Sequence, residues 1–298
     1  MYFMSKVNLT GLGVALVTPF KSDESVDYDA LEKILDFQIT NGVDYIVALG
    51  TTAETPTLTD EEQREIVRFI VDKVAKRVPV VVGVGGNCTA SLVQKVKNTD
   101  FAGVSAILSV TPYYNKPTQE GLYRHYCKLS EVSPLPIILY NVPGRTGVNM
   151  TADTTLRIAR DCSNVVATKE ASGDLSQIKA IIDGAPEGFQ VISGDDAITT
   201  DLILSGGIGV ISVFGNAFPR EMKWLVQSTL EGKSTAARDK MEEDFDKLFH
   251  LMFVEGNPAG VKALLKMRGM LENVVRLPLV VVSDETNNLI RKEFDRFA

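Results

Sequence analysis

The chain has 298 residues, 45% of them hydrophobic and 23% charged, with a formal net charge of -7. That length accommodates one large domain or two ordinary ones, and the acidic balance gives no electrostatic case for nucleic acid or an anionic membrane surface. Cys88, Cys127 and Cys162 are odd in number and widely spaced, and with only His125 and His250 beside them they form neither a disulfide framework nor a metal-ligand motif.

At the N-terminus, residues 1–6 lack a basic stretch followed by an apolar core, and no uninterrupted apolar run reaches the length of a membrane helix. A cytoplasmic, metal-free protein is the expectation. Residues 13–20 form an apolar run ended by Pro19-Phe20, and 27–40 carry helical spacing at Leu31, Ile34, Leu35 and Ile39, closed by Asn41-Gly42. A strand at 44–49 leads into Gly50-Thr51-Thr52-Ala53-Glu54-Thr55, after which Thr59 and Glu62 make a capping box for a helix running to Arg77. The alternation continues with strands at 79–83, 104–110 and 136–140 and helices at 91–101, 118–131 and 151–160. A short apolar run at Val165-Val166-Ala167-Thr168 ends in Lys169-Glu170-Ala171-Ser172-Gly173-Asp174, where Ser172 or Asp174 can cap a helix near 175–183. A strand at 189–193, a helix at 195–205 and a last strand at 208–213 follow, and the remainder, 221–231, 236–253, 258–270 and 284–297, is helical.

Eight strand-helix units in roughly 230 residues match the count and length of a (β/α)8 barrel. The expected division is a barrel over residues 1–231, holding the site, and a helical extension over 232–298 packed against it. A doubly wound open sheet is the alternative. No dinucleotide fingerprint supports it, because Cys88 stands where Gly83-Val84-Gly85-Gly86 would need its third glycine.

A barrel places its chemistry at the C-terminal ends of the strands. Those positions hold Thr51 and Thr52, Tyr113 and Tyr114, Tyr140, Arg145, Lys169, Gly194 and Ile211. An amine at the mouth of a buried strand is poorly hydrated, which favours the neutral form able to attack a carbonyl and make a Schiff base. Phenols joined by a Thr hydroxyl can relay protons, and an arginine after a Pro-Gly turn can present its planar fork to a carboxylate. Each residue has a plainer reading: Lys169 as a snorkelling lysine or a partner of Glu170, Arg145 as a loop stabiliser, the threonines as helix caps, the tyrosines as packing aromatics. Their coincidence at successive strand ends favours chemistry. A barrel that keeps the pocket as a sensor or scaffold is the non-catalytic alternative, and it does not account for the amine and the Tyr-Thr-Tyr set occurring together.

Three motifs, Tyr140-Asn141-Val142-Pro143-Gly144-Arg145-Thr146-Gly147, Lys169-Glu170-Ala171-Ser172-Gly173 and Thr111-Pro112-Tyr113-Tyr114-Asn115-Lys116-Pro117, resemble those of the dihydrodipicolinate synthase family, within the pyruvate-dependent class I aldolases related to N-acetylneuraminate lyase. The resemblance runs from about Gly11 into the C-terminal helices. It implies condensation of pyruvate with L-aspartate 4-semialdehyde through an imine on Lys169, with no cofactor. Tyr140 then resembles the phenol that moves protons at the imine, and Thr52 the hydroxyl linking it to a second tyrosine, matched by Tyr114 and supplied by a neighbouring subunit. Thr51 falls at the pyruvate end, Arg145 on the semialdehyde carboxylate, and Gly194 and Ile211 on the pocket wall. A homotetramer, as a dimer of dimers, is implied. Arg145 favours the synthase over sialic-acid lyases, and aldolases for 2-keto-3-deoxy sugar acids are the runner-up.

Two departures stand out. The loop after strand 2 usually reads Gly-Thr-Thr-Gly-Glu in the family, and Ala53 replaces its second glycine. If that position needs a positive φ, the alanine is strained by about 1 kcal/mol. In lysine-inhibited relatives a histidine and a glutamate hold the effector. Gln63 and Ser91 stand there, with Asn87 and Tyr113 retained, so weak or absent inhibition is expected.

Overall fold

The computed structural model describes residues 7–233 and 235–297. Among them, eight parallel strands close a barrel in chain order: β1 (Gly11–Ala15), β2 (Tyr45–Ala48), β3 (Val80–Gly83), β4 (Ala106–Val110), β5 (Ile137–Asn141), β6 (Val165–Glu170), β7 (Gln190–Ser193) and β8 (Gly209–Ser212). β8 pairs back on β1, Gly13 opposite Ile211, which removes the open-sheet alternative. The strands are short because each need only cross the barrel wall, and nearly every strand residue is buried, as parallel strands covered by helices require.

Two apolar layers hold the wall. Inward-facing Val47, Val81, Leu108, Ile138, Ala167, Ile192 and Ile211 fill the barrel with Tyr45 and Tyr140, and a larger outer cluster packs strands against helices. Gly13 has no side chain because the Tyr45 ring fills the space, within 2.2 Å of where a Cβ would stand. The helices start at side-chain caps that the sequence signals. The Thr59–Glu62 capping box forms in full, Asp27, Thr118 and Thr151 each accept a first-turn N–H, and Asp174 rather than Ser172 is the cap after β6.

Several expected elements are shorter than their apolar pattern, among them β1 and the helix after β7. β1 stops at Ala15, since Leu16 to Phe20 are buried as a loop, Val17 N–H donating to Asn216 Oδ1 at 3.1 Å instead of continuing the ladder. Burial reads as an apolar run whether the backbone is strand or loop. The helix expected from 195 begins at Thr199, because Asp195 and Asp196 are used otherwise: Ser193 Oγ donates to Asp195 O, and Asp196 Oδ2 accepts from the N–H groups of Val213 and Phe214.

After β8 the chain forms helices Pro219–Leu230, Thr235–Leu251, Ala259–Met267 and Asp284–Phe294. They dock through one aromatic cluster. Phe214, just past β8, has Phe218, Phe245 and Phe249 at centroid distances of 4.8, 5.0 and 4.8 Å, and Phe245 stacks on Phe297 at 4.3 Å. Such pairs add about 0.5–1.5 kcal/mol each beyond their buried area. The extension is thereby fixed over the mouth of the barrel.

Candidate active site

A cavity of about 630 Å³ opens at the C-terminal ends of the strands. Thr51, Thr52, Tyr140, Arg145, Lys169 and Gly194 all line it, so six of the residues read from sequence converge.

Lys169 lies near the end of β6, in register with Tyr140 on β5 and Ile192 on β7. Alternation along the strand sends Lys169 into the barrel and its neighbour Glu170 out towards the helices. The Lys169 residue is 5% exposed, and its Nζ stands 4.4 Å from the centre of the Tyr140 ring. No carboxylate lies within ion-pair distance of it among the described residues. Glu170, which the sequence offered as a partner, instead accepts from Ser172 Oγ at 2.9 Å and Asn141 Nδ2 at 3.3 Å, and burial raises its carboxyl to about 7. The amine therefore meets an aromatic face and the cavity.

Gly194 is explained by that amine and not by a turn. A Cβ there would lie 2.7 Å from Ala171 Cβ and 2.9 Å from Lys169 Cε, so only glycine leaves the lysine stem its path. Arg145 sits in the short helix Pro143–Thr146, which Gly147 ends in a left-handed conformation. Its side chain is exposed at the rim with the cavity below, free to turn towards an anionic ligand. Asp196, a buried residue of the cavity wall, is raised to about 6 by burial and pins the exit of β8 by accepting from the N–H groups of Val213 and Phe214.

The strand-2 loop resolves the question raised by Ala53. Thr51–Ala53 is one turn of 3-10 helix, and Ala53 is not among the residues with positive φ. The left-handed residue is Glu54, at φ 55, one place further on. Ala53 is buried, and its carbonyl accepts from Thr18 Oγ1 at 2.8 Å. Ala53 does not need a positive φ, so the conditional strain does not arise there.

Two residues stand elsewhere. Ile211 is fully buried among the barrel-interior side chains, and its strand-end neighbour Val213 is the one that reaches the cavity. Tyr114, on the loop after β4, is 88% exposed, has φ 71 and does not line the cavity of its own chain.

Sequence reasoning missed the far wall. Asp246, Phe249, His250, Phe253, Val254 and Asn257 of the C-terminal segment line the cavity, so the site draws on both expected divisions of the chain. Asn257 donates from Nδ2 to Thr52 Oγ1 at 2.9 Å, a contact between residues 205 apart. Nothing periodic marks it, and an Asn before Pro258 reads as an ordinary helix entry. Among the described residues no cluster of three or more His, Cys, Asp or Glu could hold a metal ion, and no helix is long and apolar enough to cross a membrane.

Residues 8–296 match the model of the dihydrodipicolinate synthetase family. The chain is 57% identical over 289 residues to the 4-hydroxy-tetrahydrodipicolinate synthase of Parabacteroides distasonis, covering 97% of both chains. Among solved structures, it is similar to dihydrodipicolinate synthase from Aquifex aeolicus, with a TM-score of 0.93 and 40% identity over 97% of this chain and 98% of that one. The chloride-inhibited dihydrodipicolinate synthase of Acinetobacter baumannii complexed with pyruvate aligns with a TM-score of 0.92 and 38% identity, over 97% and 98% of the two chains.

Proposed function

The chain belongs to the dihydrodipicolinate synthetase family, and we propose that it works through an imine formed between pyruvate and Lys169. Its reaction condenses pyruvate with L-aspartate 4-semialdehyde to 4-hydroxy-tetrahydrodipicolinate, in the biosynthesis of diaminopimelate and lysine. The observation that carries the imine is the lone amine of Lys169, buried, without a carboxylate partner, and 4.4 Å from the Tyr140 ring in the cavity. A charged lysine bound for structure would be paired, and the lack of a partner supports the nucleophilic reading.

Attack of the amine on the pyruvate ketone gives a carbinolamine, which loses water to form the imine. Loss of a methyl proton to a neighbouring base leaves an enamine, whose carbon attacks the aldehyde and takes up a proton at the new alkoxide oxygen. The amino group of the second substrate then adds to the imine carbon, closes the ring and releases Lys169. The imine nitrogen is itself the electron sink, so we read no cofactor into the reaction. Tyr140 and Thr52 move the protons, Thr51 takes the pyruvate carboxylate end, and Arg145 takes the carboxylate of the semialdehyde. Tyr114, exposed on its own chain, completes the relay from a partner subunit. We propose a homotetramer built as a dimer of dimers, acting in the cytoplasm.

Borohydride reduction in the presence of pyruvate, followed by peptide mapping, is expected to leave the adduct on Lys169, and the enzyme is expected to turn over aspartate semialdehyde. An adduct without turnover would move the acceptor to a 2-keto-3-deoxy sugar-acid aldehyde; no adduct would remove the imine.

Regulation by lysine is expected to be weak. Gln63 Oε1 already accepts from Lys95 Nζ at 2.8 Å, and the same ammonium is 3.6 Å from Asp60. The Gln63 amide oxygen is thus already engaged by a cation of the chain, and no glutamate stands at Ser91 to pair with an effector ammonium. Half-inhibition by lysine is expected only above about a millimolar, weaker than roughly -4 kcal/mol of binding. A steady-state titration giving a lower value would overturn this.

A further inference from the structure

We infer that Asn257 is a positioning residue that sets the direction of the Thr52 hydroxyl in the proton relay, an assignment that rests on the relay role proposed for Thr52. A threonine hydroxyl has one proton to donate and two lone pairs that accept. One acceptor site on Thr52 Oγ1 is taken by Asn257 Nδ2 at 2.9 Å, with both residues buried. An amide N–H in that place can only donate, so the threonine proton is left to point at the cavity, where Tyr140 lines the wall. Without that donor the hydroxyl rotates freely between acceptor and donor orientations, and a relay that needs one orientation loses most of its productive population.

Two further features single out Asn257. Its Oδ1 is buried and meets no hydrogen-bond donor among the described residues, in a wall that faces the substrate cavity. Buried amides are normally satisfied at both ends, and exceptions collect at working sites. The residue is also held from outside the barrel. It lies at the start of helix Ala259–Met267, whose Lys262 makes a buried ion pair with Glu54, two residues beyond Thr52. The same short segment thus grips the catalytic loop twice, once by charge at Glu54 and once by direction at Thr52.

A double-mutant cycle on the full-length enzyme tests this, using Asn257→Ala, Thr52→Val and the pair. Asn257→Ala is expected to lower kcat about 10- to 100-fold with KM for pyruvate nearly unchanged, and the double variant to be no slower than Thr52→Val alone, since residues acting through one another are not additive. Asn257→Asp, almost the same shape but unable to donate when ionised, is expected to lose as much; it decides the matter if Asn257→Ala fails to fold. Losses that multiply in the double variant would make Asn257 an independent structural residue and overturn the inference alone. A Thr52→Val enzyme with normal kcat would remove the relay role, and Asn257 with it. An effect of Asn257→Asp confined to KM would likewise overturn it.

Discussion

Replacing Lys169 with methionine is expected to abolish turnover, by on the order of 10³-fold or more, while leaving the fold as stable as before or more stable. The first half follows from nucleophilic catalysis, since among the described residues lining the cavity no other side chain supplies an amine to the ketone. The second half is a property of the site. Burying an amine with no carboxylate partner costs several kcal/mol in an apolar setting, and the Tyr140 ring 4.4 Å away returns only about 0.5–2 kcal/mol of that. Methionine fills a similar path past Gly194 without the amine. A gain of about 1 kcal/mol would raise the thermal midpoint by roughly 2–4 °C in a chain of this size.

The pyruvate response separates this from a trivial loss of activity. A ligand that bonds covalently to the folded state stabilises it strongly, so pyruvate should raise the midpoint of the parent enzyme and leave that of Lys169→Met nearly unmoved. A fall of several degrees without ligand would mean that the lysine holds the barrel together. Turnover near the parent rate would end the imine mechanism. Function carried at a cost to stability is the pattern expected of an active site and not of a structural one.

How much of this was legible in the sequence depended on range. The barrel was legible because each strand is a short apolar run and each helix carries its own cap, so local signals and the global fold agree. Lys169, Thr52, Tyr140 and Arg145 were legible because a barrel turns the position "after a strand" into the position "at the site". At Ala53 the sequence left the backbone open, since a glycine in relatives fixes no φ here, and the structure shows the left-handed conformation at Glu54 instead. Asn257 and Lys262 were illegible because their partners lie 205 and 208 residues away. A lysine inside a helix reads as solvated, and no periodicity records that Lys262 is fully buried. The residues that line the cavity from the strand ends are marked locally, and the contacts that hold their loop are distant.

That distinction yields the second large effect, at Glu54 and Lys262. Both residues are fully buried, with Nζ 2.5 Å from Glu54 Oε1. Lys262 also donates to Val274 O at 2.8 Å, and Glu54 Oε2 accepts from Arg276 N at 3.0 Å, so the remaining lone pairs and protons are largely used. Burial pushes the lysine down to about 8 even against the pull of Glu54, which leaves it charged at neutral pH. Lys262→Met removes one partner and strands a buried carboxylate, an arrangement that costs about 3–5 kcal/mol, and the midpoint should fall by on the order of 10 °C. Because Glu54 holds the left-handed turn that follows Thr51–Ala53, kcat should fall as well. Changing both residues, Glu54→Met with Lys262→Met, removes the stranded charge and should restore most of the stability. It should not restore kcat, since the turn then loses its hydrogen bond to Arg276 N. Recovery of both together would make the pair a stability element only; recovery of the midpoint alone would establish that the buried charge is kept to hold the threonine loop in place.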